Sequence, residues 1–200
     1  MVKTLFCDLG GCFLTNGWDH VARRRACETF SIEFAAVEPL HQREVDGFEK
    51  GETPLEEYLS RTYLAVPARA AVDVPAFVAF MKSCSERLGS SLDVLEDFRR
   101  KFPGRCFAFN NESRELNEYR IETFGLGGRF DAFLSSCYLG LRKPDPAIYQ
   151  RALEIAAASP RDVLFIDDRP ENVTAGAAAG MQTYHFDSPE GLARRLEEWA

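Results

Sequence analysis

The sequence predicts an α/β architecture, a doubly wound parallel sheet with a helical insertion after its first strand, and three observations predict it. Short apolar runs recur along the chain, helical stretches separate the later runs, and the long interval between the first and second run carries helical spacings without a convincing strand. With 200 residues and 46% hydrophobic content, the chain suits one core domain carrying a smaller insertion.

The first run, Val2 to Cys7, ends at Asp8. It reads as a buried parallel strand, as do Cys106 to Phe109, Ala132 to Leu134, Val163 to Ile166 and Thr183 to Phe186, because a strand covered on both faces shows no polar alternation. In the interval that follows the first run, Ala22, Ala26, Phe30 and Phe34 repeat at i, i+4. Leu55, Tyr58, Leu59 and Thr62 make a second stripe, and Phe77, Phe80, Met81, Cys84 and Leu88 a third, each the packing face of a helix. Pro75 falls near a first helical position and Gly89 where a helix stops. These signals predict a small helical bundle over residues 15–88, after which a helix from Ser90 to Lys101 returns the chain to the sheet. Helices over Ser113 to Phe124, Pro146 to Ala157 and Pro170 to Ala179 complete the β-α-β alternation of a Rossmann-like core made of residues 1–14 and 89–200.

A net charge of −7 disfavours a nucleic-acid partner, which is held by clustered Lys and Arg. Met1-Val2-Lys3 leads directly into the first strand without the pattern of a signal peptide, and no apolar run approaches the length of a membrane span. The expectation is a soluble, cytoplasmic protein. The six cysteines lack any C-x-x-C pair and read as reduced core residues.

Ligands of an open parallel sheet sit beyond the carboxyl ends of its strands. There the sequence places Asp8-Leu9-Gly10-Gly11, Asn110-Asn111-Glu112, Arg142-Lys143-Pro144-Asp145 and Asp167-Asp168. Carboxylates gathered at one point repel each other unless a cation lies among them, and oxygen ligands favour a hard ion such as Mg²⁺. Asp8 then faces an anionic phosphoryl group as a carboxylate nucleophile, forming an aspartyl-phosphate that water hydrolyses. Lys143 neutralises the phosphoryl oxygens and holds Asp8 ionised. Asn110 offers an amide donor to the phosphoryl group, with Asn111 beside it, and the Gly10-Gly11 backbone offers N–H groups.

The run ending in Asp8, the strand ending in Asn110, the stretch Gly140-Leu141-Arg142-Lys143-Pro144-Asp145-Pro146, and Phe165-Ile166-Asp167-Asp168-Arg169-Pro170-Glu171-Asn172 resemble the four motifs of the haloacid dehalogenase-like superfamily, over nearly the whole chain. The helical insertion resembles the α-helical cap of its subgroup with sugar-phosphate phosphatases, including glucose-1-phosphatase-like proteins. The resemblance implies a small phosphomonoester substrate and Mg²⁺ bound by Asp8, the Gly10 carbonyl and Asp168, with Asp167 supporting the site. Asn172 fits the family's position beyond the acidic pair, where it positions Asp168 or Lys143.

Two departures stand out. Family phosphatases commonly carry a second Asp two residues after the nucleophile as general acid and base, and here that place is Gly10; Asn110 stands where a Ser or Thr is expected. A missing general acid costs about two to four orders of magnitude with a poor leaving group. Asp19, His20 and Glu112 are the candidate replacements, although Asp19 and His20 also read as an ordinary helix start. Trp18 reads as packing under the cap, and Arg23-Arg24-Arg25 as a solvated helix face. Two rival functions remain: a metal-independent 2-haloacid dehalogenase, which the Asp167-Asp168 pair argues against, and a catalytically weakened binder of a phosphorylated metabolite, which Gly10 favours. The oligomeric state has no signature.

Overall fold

Five strands lie parallel in the order β3-β2-β1-β4-β5 in a computed structural model that describes residues 2–68 and 71–198. They are β1 (Thr4–Cys7), β2 (Arg105–Ala108), β3 (Ala132–Phe133), β4 (Val163–Asp167) and β5 (Gln182–His185). Each was expected within a residue or two of its bounds. Both faces are covered, so successive side chains of β1 feed two different cores. Leu5 and Cys7 join Leu95, Leu164, Ile166 and Leu192 on one side, while Phe6 joins Phe107, Phe109, Tyr149 and Phe165 on the other. The second set packs edge-on or tilted at ring separations of 5.5–5.7 Å.

The helices in chain order are α1 (His20–Thr29), α2 (Phe34–Glu49), α3 (Leu55–Arg61), α4 (Val74–Ser83), α5 (Ser91–Arg99), α6 (Arg114–Thr123), α7 (Ser136–Leu139), α8 (Pro146–Ile155), α9 (Pro170–Ala178) and α10 (Pro189–Glu197). Helices α1 to α4 gather on a hydrophobic cluster of their own, with Ala26, Val37, Tyr58, Tyr63, Phe77 and Met81 among its buried members. The predicted domain ends at positions 1, 199 and 200, and cap positions 69 and 70, lie outside the described residues. No helix among the described residues is long and apolar enough to cross a membrane.

Three expectations about the insertion are corrected. The Ala22-to-Phe34 stripe is not one helix: α1 ends at Thr29, Ser31 takes a left-handed φ of 56°, and Phe34 opens α2. The third stripe stops at Ser83, so Gly89 terminates no helix. Residues 84–88 instead run beside the outgoing chain: Leu14 bridges Arg87, Thr15 donates to the Glu86 carbonyl (2.9 Å), and Leu88 donates to the Phe13 carbonyl (3.0 Å). Helix α2, the longest of the described helices, drew no stripe from the sequence, because Pro39 interrupts its pattern.

Arg120 of α6 fastens the paired crossings to the core. Buried to 2% exposure, it donates to Ser85 Oγ (3.0 Å) and the Thr15 carbonyl (3.3 Å) and pairs with Glu112 at 2.8 Å. Gly17 makes room for it, since a Cβ there would meet Nη2 at 1.8 Å and φ is +65°. Arg120→Met strands the buried Glu112 carboxylate. It is expected to cost about 3–5 kcal/mol, read as a lower urea midpoint, with part of the loss recovered on adding Glu112→Gln.

Candidate active site

The register of the sheet brings the strand ends together. Asp8 donates its backbone N–H to the Ile166 carbonyl (2.9 Å) and Phe109 donates to the Cys7 carbonyl (2.7 Å), so β1, β2 and β4 end at one level. Into that edge reaches Lys143. Its Nζ lies 2.5 Å from Asp167 Oδ2, 3.1 Å from Asp8 Oδ1 and 2.8 Å from the Phe109 carbonyl, with the residue 2% exposed. The Phe109 and Phe165 rings stand 5.2 and 5.3 Å from the ammonium. Asn111 holds the backbone in place from both sides: its Nδ2 donates to the Lys143 carbonyl (2.8 Å) and its Oδ1 accepts from the Lys143 N–H (2.9 Å).

Burial acts against the Lys143 charge, but Asp8 and Asp167 outweigh it and raise its pKa. Burial pushes the Asp8 carboxyl up to about 7 against the pull of Lys143, with the neighbouring charges of Asp167 and Asp168 adding to the rise. Asp168 is also raised, first by burial and then by Asp167. Asp168 thus adds a third carboxylate beside the two that share Lys143, an excess of negative charge that Arg169 offsets in part and that a cation relieves.

Oxygen atoms of Asp8 and Asp168 and the Cys12 sulfur lie within 4.8 Å of one another, and Asp168 Oδ1 is buried without a hydrogen-bond partner. Gly11 permits this approach. A Cβ there would sit 2.1 Å from Asp168 Oδ2, and its φ of +73° suits glycine. The donor set fits Mg²⁺ through the two carboxylates, while Cys12 is a soft thiol whose pKa burial drives well up. Gly10 and Asp8 both line the cavity that lies above the strand ends.

Two predicted site residues are placed differently. Asn110, expected to donate to a phosphoryl group, is 1% exposed; its Nδ2 donates to Asn117 Oδ1 (3.1 Å) and its Oδ1 accepts from Ser135 (2.8 Å), so the amide is spent inside the protein. Asp167, expected among the metal residues, turns to Lys143 and accepts from Asn172 Nδ2 (3.0 and 3.2 Å) and the Arg169 N–H (2.9 Å). Asn172 therefore orients Asp167, not Asp168 or Lys143, and its own carbonyl accepts from Tyr149 (3.0 Å).

Above the strand ends lies a cavity of about 350 Å³ lined by both layers, with Asp8, Lys143 and Asn111 on one wall and Trp18, Arg23 and His41 on the other. Trp18 does pack in the insertion's core, its Nε1 donating to Tyr58 Oη at 3.3 Å, but it also faces this cavity. Arg23 is no solvated residue. It is 6% exposed and donates to Glu38 through Nε (3.1 Å) and Nη2 (2.5 Å) and to the Trp18 carbonyl, whereas Arg24 and Arg25 are exposed. Sequence reasoning missed Asn16, His41, Gln42 and Glu49 on the cavity wall. The last three ride on α2, whose sequence pattern Pro39 interrupts.

The fold and this site define a class of hydrolase that works from the carboxyl end of a parallel sheet. A haloacid dehalogenase-like hydrolase family model matches residues 2–180, and the chain belongs to that family. Among curated proteins it is 38% identical to flavin mononucleotide hydrolase 1 of Arabidopsis thaliana over 59% of the chain and 49% of that protein. It is 30% identical to pyrimidine 5'-nucleotidase YjjG of Escherichia coli over 59% of the chain and 55% of that protein. It is 28% identical to mouse acyl-CoA dehydrogenase family member 10 over 75% of the chain, but spans only 14% of that protein. The chain thus spans about half of these relatives' length or less. Its fold matches that of a Bacteroides thetaiotaomicron family enzyme in complex with magnesium and inorganic phosphate, at a TM-score of 0.76 and 20% identity over 94% of this chain and 96% of that one. It also matches the L-2-haloacid dehalogenase RSc1362, at a TM-score of 0.68 and 17% identity over 98% and 99%.

The Arg23–Glu38 pair makes a pH prediction. Partial burial opposes the Glu38 charge, but hydrogen bonds from Arg23 and Gln42 outweigh it and hold the carboxyl down at about 2. A depressed pKa contributes stability that is full above the ordinary glutamate value and is lost as pH falls toward 2. Thermal melts below pH 5 are expected to show a smaller acid-induced drop for Glu38→Gln than for the parent chain.

Proposed function

We propose that this chain is a Mg²⁺-dependent phosphatase of a small phosphomonoester, sugar phosphates included, with Asp8 as nucleophile and the α1–α4 bundle as a cap over the site. The observation that carries the reading is the Asp168 oxygen left buried and unpartnered beside Asp8, while Lys143 satisfies Asp8 and Asp167. A metal-independent attack on carbon gives that third carboxylate nothing to do.

Mg²⁺ would be held by Asp8 and Asp168, with Gly10 at the same wall, and would supply Lewis-acid charge to the phosphoryl oxygens. Lys143 adds a fixed positive charge in a dry site, where it acts at full strength. Asn111 keeps Lys143 aimed, and Asn172 keeps Asp167 turned toward it. Asp8 attacks phosphorus, and the aspartyl-phosphate is then hydrolysed by water. The relatives that act on flavin mononucleotide and on pyrimidine nucleotides support a phosphate ester as substrate.

Asp8→Asn is expected to abolish phosphate release from 4-nitrophenyl phosphate with an unchanged circular dichroism spectrum; persistent turnover would remove Asp8 from the mechanism. Lys143→Ala is expected to lower kcat by about 10²–10³-fold. EDTA is expected to stop turnover and Mg²⁺ to restore it. Chloride release from 2-haloacids in EDTA would replace this reading with the dehalogenase.

A further inference from the structure

We propose that no side chain among the described residues of the site protonates the departing group, so that its substrates are phosphoryl compounds whose leaving oxygen is a weak base. Acyl, enol and aryl phosphates fit that description, followed by the phosphates of hemiacetals; phosphates of simple alcohols do not. The inference rests on the phosphatase reading and adds the class of leaving group.

The acidic side chains on the cavity wall are Asp8, Asp19, Glu49 and Glu112. Asp8 is the nucleophile, and the other three have structural partners. Asp19 caps α1, its Oδ1 accepting from the Ala22 N–H at 2.8 Å. Glu49 pairs with Arg142 at 2.6 Å, and Glu112 pairs with Arg120 at 2.8 Å while also accepting from the Ser113 N–H at 3.0 Å. Each guanidinium favours the ionised form of its carboxylate against the burial that raises both carboxyls, and a proton taken up by either glutamate would break its ion pair.

Both cavity histidines are engaged with protein groups as well. His41 is bound through Nδ1 to Tyr58 Oη at 2.7 Å, and the exposed ring of His20 sits 3.4 Å from Arg24 and 3.6 Å from Glu38. The three N–H groups of Lys143 go to Asp8, Asp167 and the Phe109 carbonyl. Next to the nucleophile, Gly10 has no side chain. The space in front of it is taken by Asn16, whose Oδ1 would lie 2.9 Å from a Cβ at position 10. An amide at that place orients but does not transfer a proton.

The chemistry balances without a donor. An Asp8 oxygen bonds to phosphorus as the bond from phosphorus to the leaving oxygen breaks; that oxygen departs with the electron pair and takes its proton from bulk water. Water then attacks the aspartyl-phosphate, its proton passes to solvent, and Asp8 and inorganic phosphate are released. Only a leaving oxygen that tolerates the negative charge departs quickly by this route.

The test is a leaving-group series of similar shape, 4-nitrophenyl, phenyl and benzyl phosphate, with Mg²⁺ and the intact chain. The expected result is a steep fall in kcat/KM, about 10²–10⁴-fold from the nitrophenyl to the benzyl ester, and a narrowed ratio in Gly10→Asp, where Asn16 has room to swing outward. Equal rates across the parent series would overturn the inference. So would a selective loss of benzyl phosphate turnover in Asp19→Asn, His20→Gln or Glu112→Gln, because it would identify a proton donor. Hydrolysis of none of the esters would instead overturn the phosphatase reading beneath it.

Discussion

A protonated lysine in a nearly water-free place is the constraint around which the core is arranged. Removing an ammonium from water costs several kcal/mol unless its donors are all taken up. Lys143 meets that demand with two carboxylates and a carbonyl from the ends of three adjacent strands. The parallel register is what makes the three ends coincide, so the sheet and the site impose the same geometry. Asn111 fixes the backbone of Lys143 and Asn172 fixes Asp167, which leaves the ammonium one arrangement in which every donor is used.

The same accounting leaves one acid over. Lys143 neutralises part of the charge of Asp8 and Asp167, and Asp168 stands beside them with one oxygen buried and unpartnered. Its approach depends on the missing Cβ at Gly11, a position where almost any side chain would displace the carboxylate. Catalytic groups whose pKa values are shifted by burial and by like charges mark functional clefts, and the raised Asp8 and Asp168 carboxyls fit that pattern.

Arginines join the two layers. Arg120 ties both crossings to the second strand-end loop, and Arg142, adjacent to Lys143, reaches Glu49 at the end of α2. A further link runs through Ser136, whose hydroxyl donates to the Glu49 carbonyl at 2.5 Å. These contacts are polar and few beside the two hydrophobic clusters they connect. The layers keep largely separate cores, with Leu116 of α6 packed into the α1–α4 cluster, and are also joined by charged groups that border the cavity.

The strands and the core helices were legible because burial on both faces writes continuous apolar runs, and each run ended where its polar residue had to emerge. Asp8 and Asp168 were legible for the same reason, as acids at the ends of such runs, and Lys143 from its place ahead of the Pro146 helix. Asn110 misled because an amide at a strand end looks the same whether it points outward or is bound to Asn117 and Ser135, residues that only folding brings near it. Arg23 misled because a run of three arginines conceals which one faces inward, and its partner Glu38 lies on another helix. Local pattern thus determined the sheet and the acid and lysine that meet at its carboxyl edge. Tertiary structure alone decided which polar groups were already spent on each other, since hydrogen bonds between residues distant in sequence leave no periodicity to read.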